Sequence, residues 1–206
     1  MDYNAQDKQI HIVNLAVCAS LQAFEEYSSR SLNCRRDVIA AIRVKLRPYL
    51  QEIAEREYAE TCMGNVRDKI IKLVLALDKT PGVEDLLSEV VTGDHGMTLH
   101  EQAPYGVVLA IYPATNPCAT MINNVISMLA AGNSVISIPN PRCMETSQFL
   151  TEKINEAIEE ACGIQNLVVT LPESRNDLLT EIINHPDVAL VVATGGRKMM
   201  SHVLCS

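Results

Sequence analysis

Tryptophan is absent from this 206-residue chain, and phenylalanine and tyrosine together make up only 4% of it. A base- or sugar-stacking platform needs aromatic faces, so single-stranded nucleic acid and carbohydrate are poor candidates as ligands. Basic residues are in the minority too: 17 Lys+Arg against 25 Asp+Glu give a net charge of −8. Without a basic stripe the chain cannot neutralise a phosphate backbone or an anionic bilayer, which argues against nucleic acid and membrane partners alike. Long apolar runs are missing as well. Those from Val107 to Tyr112 and from Val188 to Ala193 are strand-sized, far below the ~20 residues that span a bilayer. Asp2 opens the chain where a secretory leader would carry basic residues, and Asn14 breaks the apolar stretch from Ile10 to Leu21, so no leader is expected. Patterned cysteine is lacking too. Cys18, Cys34, Cys62, Cys118, Cys143, Cys162 and Cys205 are odd in number and form no Cys-x-x-C pair. That spacing predicts no disulfide framework and no metal site, and it fits small packing thiols in a reducing, cytoplasmic compartment.

What the chain does have is a core: 48% of its residues are apolar and 20% are charged, the balance of a folded globular protein. Val, Ile, Leu, Ala and Met must build that core. Over the first eighty residues apolar positions recur every three or four, at Ile12, Leu15, Ala16 and Ala19 and again at Val38, Ile39, Ile42, Leu46, Leu50 and Ile53, which predicts helices. Pro48 interrupts the second pattern and marks a kink or a fresh first turn. Asn65 is placed to cap a further helix that ends before Thr80-Pro81-Gly82. The stretch from Ser88 to Ala103 carries Thr92-Gly93-Asp94-His95-Gly96 and reads as a β-hairpin. A hairpin is marginal alone, so it is expected to pair with the main sheet or with another subunit.

From Pro104 onward, strand-sized apolar runs at Val107 to Tyr112, Ser134 to Ile138, Leu167 to Thr170 and Val188 to Ala193 alternate with helical stretches. Apolar runs without polar alternation, separated by helices, are what a parallel sheet covered on both faces requires. The expected fold is therefore α/β, a Rossmann-like doubly wound parallel sheet preceded by a helical N-terminal region and a β-hairpin, with a division into residues 1–103 and 104–206. In such sheets ligands bind beyond the carboxyl ends of the strands. Three strand ends carry polar or flexible residues: Pro113-Ala114-Thr115-Asn116-Pro117, Pro139-Asn140-Pro141 and Thr194-Gly195-Gly196. Glycines after a strand allow backbone amides to approach a pyrophosphate, or form a plain helix-entry turn. Thr115 and Asn116 read either as oxyanion donors or as a helix cap and turn. Neither a G-x-G-x-x-G motif nor a P-loop is present.

Read together, these pieces resemble a known family. The stretch PYGVVLAIYPATNPCAT from Pro104, with Ala130-Ala131-Gly132-Asn133 further on, is similar to the first strands of the aldehyde dehydrogenase superfamily. ETCMGNVRDKIIKLVLALDKTPGVEDL from Glu60, TGDHGMTLHEQAPYGVV from Thr92, CGIQNLVVT from Cys162 and the ATGG strand end at Ala193 resemble a narrower group. That group is the CoA-acylating propionaldehyde and acetaldehyde dehydrogenases of bacterial microcompartments. The resemblance implies NAD-dependent oxidation of a short-chain aldehyde to its acyl-CoA thioester, with NAD as cofactor and CoA as co-substrate. In that group a cysteine thiolate attacks the aldehyde, hydride passes to NAD and CoA takes the acyl group. Carried over residue by residue, the cofactor-binding positions are Pro113, Ala114, Thr115, Asn116, Ile138, Pro139, Thr194, Gly195 and Gly196. Thr115 falls at the oxyanion asparagine of ordinary relatives with Asn116 beside it, and which of the two donates stays open.

Two departures accompany the match. Ile138 stands where other relatives carry a lysine for the adenine ribose, and Arg197-Lys198 follow Thr194-Gly195-Gly196 where the family has Pro-Gly. Family members are about twice this length, and their nucleophilic cysteine lies in the second half. The chain is accordingly expected to be the NAD-binding half, inactive by itself, or alternatively a non-catalytic assembly or regulatory partner of a full-length enzyme. Cys118, at the start of a helix whose terminus lowers a thiol's pKa, is the one substitute nucleophile to weigh against simple packing. His95 and His100 read as surface residues by the hairpin turn, and His185 as a residue at a helix C-terminus. An amphipathic stretch within Ile10 to Tyr27 is either a first helix of the fold or a shell-targeting helix. Partners expected are a homo-oligomer or a full-length enzyme met through the hairpin.

Overall fold

The computed structural model describes residues 5–172 and 175–205, and the side chains among them other than those of 5–9 and 176. Four helices come first: α1 (Ala5–Ser28), α2 (Leu32–Leu46), α3 (Leu50–Thr61) and α4 (Val66–Lys79). Their boundaries follow local chemistry. Ser31 caps α2 by accepting from the Cys34 amide, and Asn65 caps α4 by accepting from the Asp68 amide. Pro48 sits in a single 3₁₀ turn, Arg47–Tyr49, that separates α2 from α3, because proline forfeits a helical hydrogen bond but suits a first turn. The hairpin follows as β1 (Glu89–Gly93) and β2 (Gly96–His100). Then β3 (Val107–Ile111), α5 (Pro117–Ala130), β4 (Ser134–Ile138), α6 (Met144–Cys162), β5 (Val168–Thr170), α7 (Asn176–Ile183), β6 (Val188–Ala193) and α8 (Arg197–Cys205) alternate.

The four later strands form one parallel sheet in the order β5-β4-β3-β6. Every residue of β3 and β4 is buried, as the unbroken apolar runs require. Successive side chains supply opposite faces. Ala110 and Val135 join α2 through α6 in one core, while Leu109, Ile111, Ile136 and Ile138 meet α1, α7 and α8 in the other. Helix α1 is thus a first helix of the fold: Val13, Val17, Ala23 and Tyr27 are buried. Tyr27 Oη donates to the Leu129 carbonyl at 3.1 Å, and Ser20 Oγ to Ser134 Oγ at 2.9 Å. Among the described residues no helix is long and apolar enough to cross a membrane.

Among the described residues the hairpin pairs only with itself, Val90 opposite Leu99 and Thr92 opposite Met97. All ten of its strand residues are exposed, so the alternative of pairing with the main sheet is not realised. Val90, Leu99 and Met97 share one face at 53%, 56% and 71% exposure.

Candidate functional site

The chain order of the sheet reverses between β3 and β6. Strands β3, β4 and β5 step outward on one side, and the chain returns to place β6 on the other. At such a switch point the connections after the two neighbouring strands lead away from each other and open a crevice. A cleft of about 530 Å³ lies here. Its walls are Tyr112 to Asn116, after β3, and Thr194 to Gly196, after β6, closed by Thr120 on α5, Met199 on α8 and Asn140 after β4. Helix α8 starts at the cleft, with the Met200 amide bonded back to the Gly196 carbonyl at 3.1 Å. A Cβ on Gly195 would meet the Met199 side chain at 3.1 Å, so any larger residue there needs Met199 to give way by a few tenths of an ångström.

Seven of the nine positions taken from the resemblance line this cleft: Pro113, Ala114, Thr115, Asn116, Thr194, Gly195 and Gly196. Ile138 and Pro139 do not. Ile138 is the last residue of β4, 3% exposed and packed in the core with Ile111 and Ile136, and Pro139 is buried behind it. Asn140, one residue further on, is the part of that strand end that reaches the cleft. Tyr112, Thr120 and Met199 were not anticipated. The last two stand one helical turn into α5 and α8, so the i to i+4 spacing from Asn116 and the i to i+3 spacing from Gly196 were the available signals. Tyr112 is buried, its hydroxyl 3.1 Å from Ser137 Oγ. Burial pushes its phenol well above the ordinary tyrosine range, so it serves as a neutral floor.

Asn116 precedes α5 yet makes no side-chain cap bond. Lys72 Nζ, from α4, donates to its Oδ1 at 2.8 Å. An ammonium has no acceptor lone pair, so this contact fixes which half of the carboxamide is which: the oxygen is engaged, and Nδ2 is a donor with no acceptor among the described residues. The Asn116 carbonyl accepts from both the amide and the hydroxyl of Thr120, at 3.1 and 2.7 Å, which holds the turn rigid. Asn116 and Thr120 also line a second groove of about 420 Å³ between α4 and α5, whose walls include Lys72, Leu75, Ala76 and Ala119. The two cavities therefore meet at Asn116.

Of the two readings of Cys118, packing is the one the structure realises. Its thiol is fully buried. A hydrogen bond to Cys143 and then burial raise its pKa well above the ordinary thiol value, the reverse of what a helix terminus alone would do. Cys118 is a packing thiol. His95 and His100 are exposed at the hairpin. His185 stands just beyond α7, its Nδ1 accepting from the Asp187 amide at 3.2 Å and its Nε2 3.2 Å from Asn14 Oδ1, a tie between α1 and the approach to β6. Among the described residues no three His, Cys, Asp or Glu side chains gather to hold a metal ion, and no cysteine lines the cleft.

A doubly wound parallel sheet with a glycine-bearing cleft at its switch point is an architecture shared by many nucleotide-binding α/β proteins. Comparison with known proteins makes this narrower. Residues 3–206 match the aldehyde dehydrogenase family, and the chain belongs to that family. It is 45% identical over 184 residues to the propanal dehydrogenase (CoA-propanoylating) of Salmonella typhimurium, a match covering 89% of this chain and 40% of that protein. It is 43% identical over 171 residues to the acetaldehyde dehydrogenase (acetylating) EutE of Escherichia coli, covering 83% and 37%. Rhodopseudomonas palustris propionaldehyde dehydrogenase, solved with bound CoA and an acylated cysteine, superposes with a TM-score of 0.90 at 38% identity, over 94% of this chain and 44% of that one. The chain thus spans about 40% of the length of these relatives, at their N-terminal end.

Proposed function

We propose that this chain is the nucleotide-binding half of a CoA-acylating aldehyde dehydrogenase, acting on a short-chain aldehyde with NAD and CoA. The observation that carries the proposal is the switch-point cleft, lined by Thr115, Asn116, Thr194, Gly195 and Gly196 and free of acidic side chains. These residues fit a dinucleotide: Gly195 and Gly196 let the α8 amides face a pyrophosphate, and Asn116 Nδ2 is free to donate. NAD, when bound, supplies the hydride acceptor. In this reading Asn116, rather than Thr115, is the oxyanion donor for an aldehyde arriving along the α4–α5 groove. Lys72 holds its carboxamide in the donating orientation. The residues of the cleft bring no thiolate to the carbon centre, so the acyl-transfer nucleophile belongs to the remainder of the family's architecture. A place in a bacterial microcompartment is part of the same proposal.

Gly196→Asp tests it. A Cβ at Gly196 meets nothing within 4 Å, and aspartate is a good helix cap at that position, so the fold is expected to be undisturbed. The new carboxylate faces the pyrophosphate position. Calorimetric titration should show NADH binding to the parent chain and binding weakened about tenfold or more in the variant, at unchanged melting temperature. A parent chain that ignores NADH sinks the proposal.

The hairpin supplies the second part of the reading, self-association. Its apolar face of Val90, Met97 and Leu99 has no partner within the described chain, and an uncovered two-stranded ribbon is unstable in water. Sedimentation should show an oligomer that Met97→Glu with Leu99→Glu converts to monomer. A parent chain that sediments as a monomer but takes up a full-length enzyme of the family favours the assembly-partner alternative instead.

A further inference from the structure

The geometry points to a reversible disulfide site: Cys34 and Cys162 form a dithiol that a small-molecule disulfide, such as oxidised glutathione, closes into an internal bond between α2 and α6. Helix α2 packs along α6. Cys34 stands in the first turn of α2 and Cys162 is the last residue of α6, so the bond would join the start of one helix to the end of the other. Helix α6 leaves β4 at the cleft end and must run back along the sheet to start the parallel strand β5. Its last residue therefore lies at the end of the sheet away from the nucleotide cleft.

Contact, access and charge single out this pair among the cysteines. The two thiols lie within hydrogen-bond reach of each other, and both side chains are half-buried, open to a small reagent. Cys118 and Cys143 are also bonded to each other, but neither has any exposed surface, so a reagent in solution does not meet them. The backbone on both sides of the Cys34–Cys162 pair is held. The Cys34 amide donates to Ser31 Oγ at 3.3 Å, and the Gly163 amide donates to the Glu159 carbonyl at 2.9 Å. Groups already fixed in place lose little further freedom when a bond forms between them. Arg30, paired with Glu26 at 2.6 Å, lies close enough to both thiols to act on them electrostatically, and a guanidinium favours the thiolate that attacks a disulfide. Burial pushes the Cys162 thiol up, which assigns it the second step, where proximity offsets a smaller thiolate fraction. In the first step the Cys34 sulfur attacks the reagent, expels one thiol and is left as a mixed disulfide. Cys162 then gives up its proton, attacks the Cys34 sulfur and expels the second thiol. The two cysteines lose two hydrogens with their electrons, and the reagent leaves as two thiols. In a reducing compartment the dithiol is the resting form, and the bond closes when small disulfides accumulate. A cross-link spanning about 130 residues restricts mainly the unfolded chain, so it adds stability.

The test uses the 206-residue chain, fully reduced and then exposed in its native state to oxidised glutathione. Peptide mapping after alkylation under denaturing conditions should find Cys34 linked to Cys162, with the intact mass lower by the two hydrogens lost. The melting temperature should rise by about 5 °C or more and return to its starting value with dithiothreitol. Cys162→Ser should lose both the linked peptide and the thermal shift, and carry glutathione on Cys34 instead. Mixed disulfides that persist on Cys34 and Cys162 of the parent chain overturn the inference. Cross-linking confined to the exposed Cys18, Cys62 and Cys205 does so too, as does a Cys34–Cys162 bond that lowers the melting temperature or a thermal shift that survives in Cys162→Ser.

Discussion

Lys69→Met is expected to destabilise the chain by about 3–5 kcal/mol, the cost of stranding one member of a buried ion pair. Lys69 Nζ bonds Glu57 Oε1, and the two side chains are only 6% and 3% exposed. The pair joins α4 to α3, and the Glu57 carboxylate lies close enough to Cys118 to raise its thiol pKa. It therefore sits beneath the first turn of α5, directly behind the cleft. With Lys69 gone, the Glu57 carboxyl group is left buried in a medium that solvates it poorly, with no cation to face. For a domain of this size the loss corresponds to a fall in melting temperature on the order of 10 °C. The double variant Glu57→Gln with Lys69→Met removes the stranded charge, and a neutral buried pair of similar volume is far cheaper. It should recover at least half of the deficit in urea denaturation. If the double variant is as unstable as the sum of the two singles, the pair is uncoupled and this account of α3–α4 docking fails.

Cys118 shows where reading the sequence stops. Its place at the start of α5 is visible locally, and so is the rule that a helix terminus lowers a thiol's pKa. Cys143, which arrives after β4 and bonds it, and Glu57, from α3, come from elsewhere in the chain and reverse the outcome. The strands were legible for the opposite reason. Ser134–Ile138 and Val188–Ala193 run as expected, because each is a short, largely apolar run with no polar alternation, as a helix-covered parallel sheet takes, and turn residues punctuate it on both sides. The cap at Asn65 and the break at Pro48 were legible too, since each depends on residues within one turn. The cleft was half legible. Its two strand-end loops are local motifs, but Thr120 and Met199 enter through helix geometry. The offset from Ile138 to Asn140 reflects the strand continuing to its last apolar residue before the chain turns outward. Which asparagine half faces the cleft was not readable at all, because Lys72 lies 44 residues from Asn116.

Asn133→Ala is expected to cost about 2–4 kcal/mol, because it leaves the buried Gly106 amide and the part-buried Tyr105 amide without their acceptor. Asn133 closes the Ala130-Ala131-Gly132-Asn133 turn and is 3% exposed. Its Oδ1 accepts from the Tyr105 amide at 2.7 Å and the Gly106 amide at 3.1 Å, while its Nδ2 donates to the Met128 carbonyl at 3.2 Å. One side chain thus fastens the entrance of β3 to the end of α5 just where β4 begins, and the Gly106 carbonyl completes the clasp by accepting from the Ser134 amide at 3.2 Å. No apolar residue can replace it. Asn133→Asp keeps both accepted bonds and loses only the donated one, so it should retain more stability than the alanine variant. Because β3 is the central strand whose far end builds the cleft, loosening its entrance also lets the Pro113 to Asn116 turn drift. Hydrogen exchange should therefore quicken at Val107 and Val108 first and at Tyr112 with them. Exchange confined to the hairpin, with β3 unchanged, is the result that would remove Asn133 from this role.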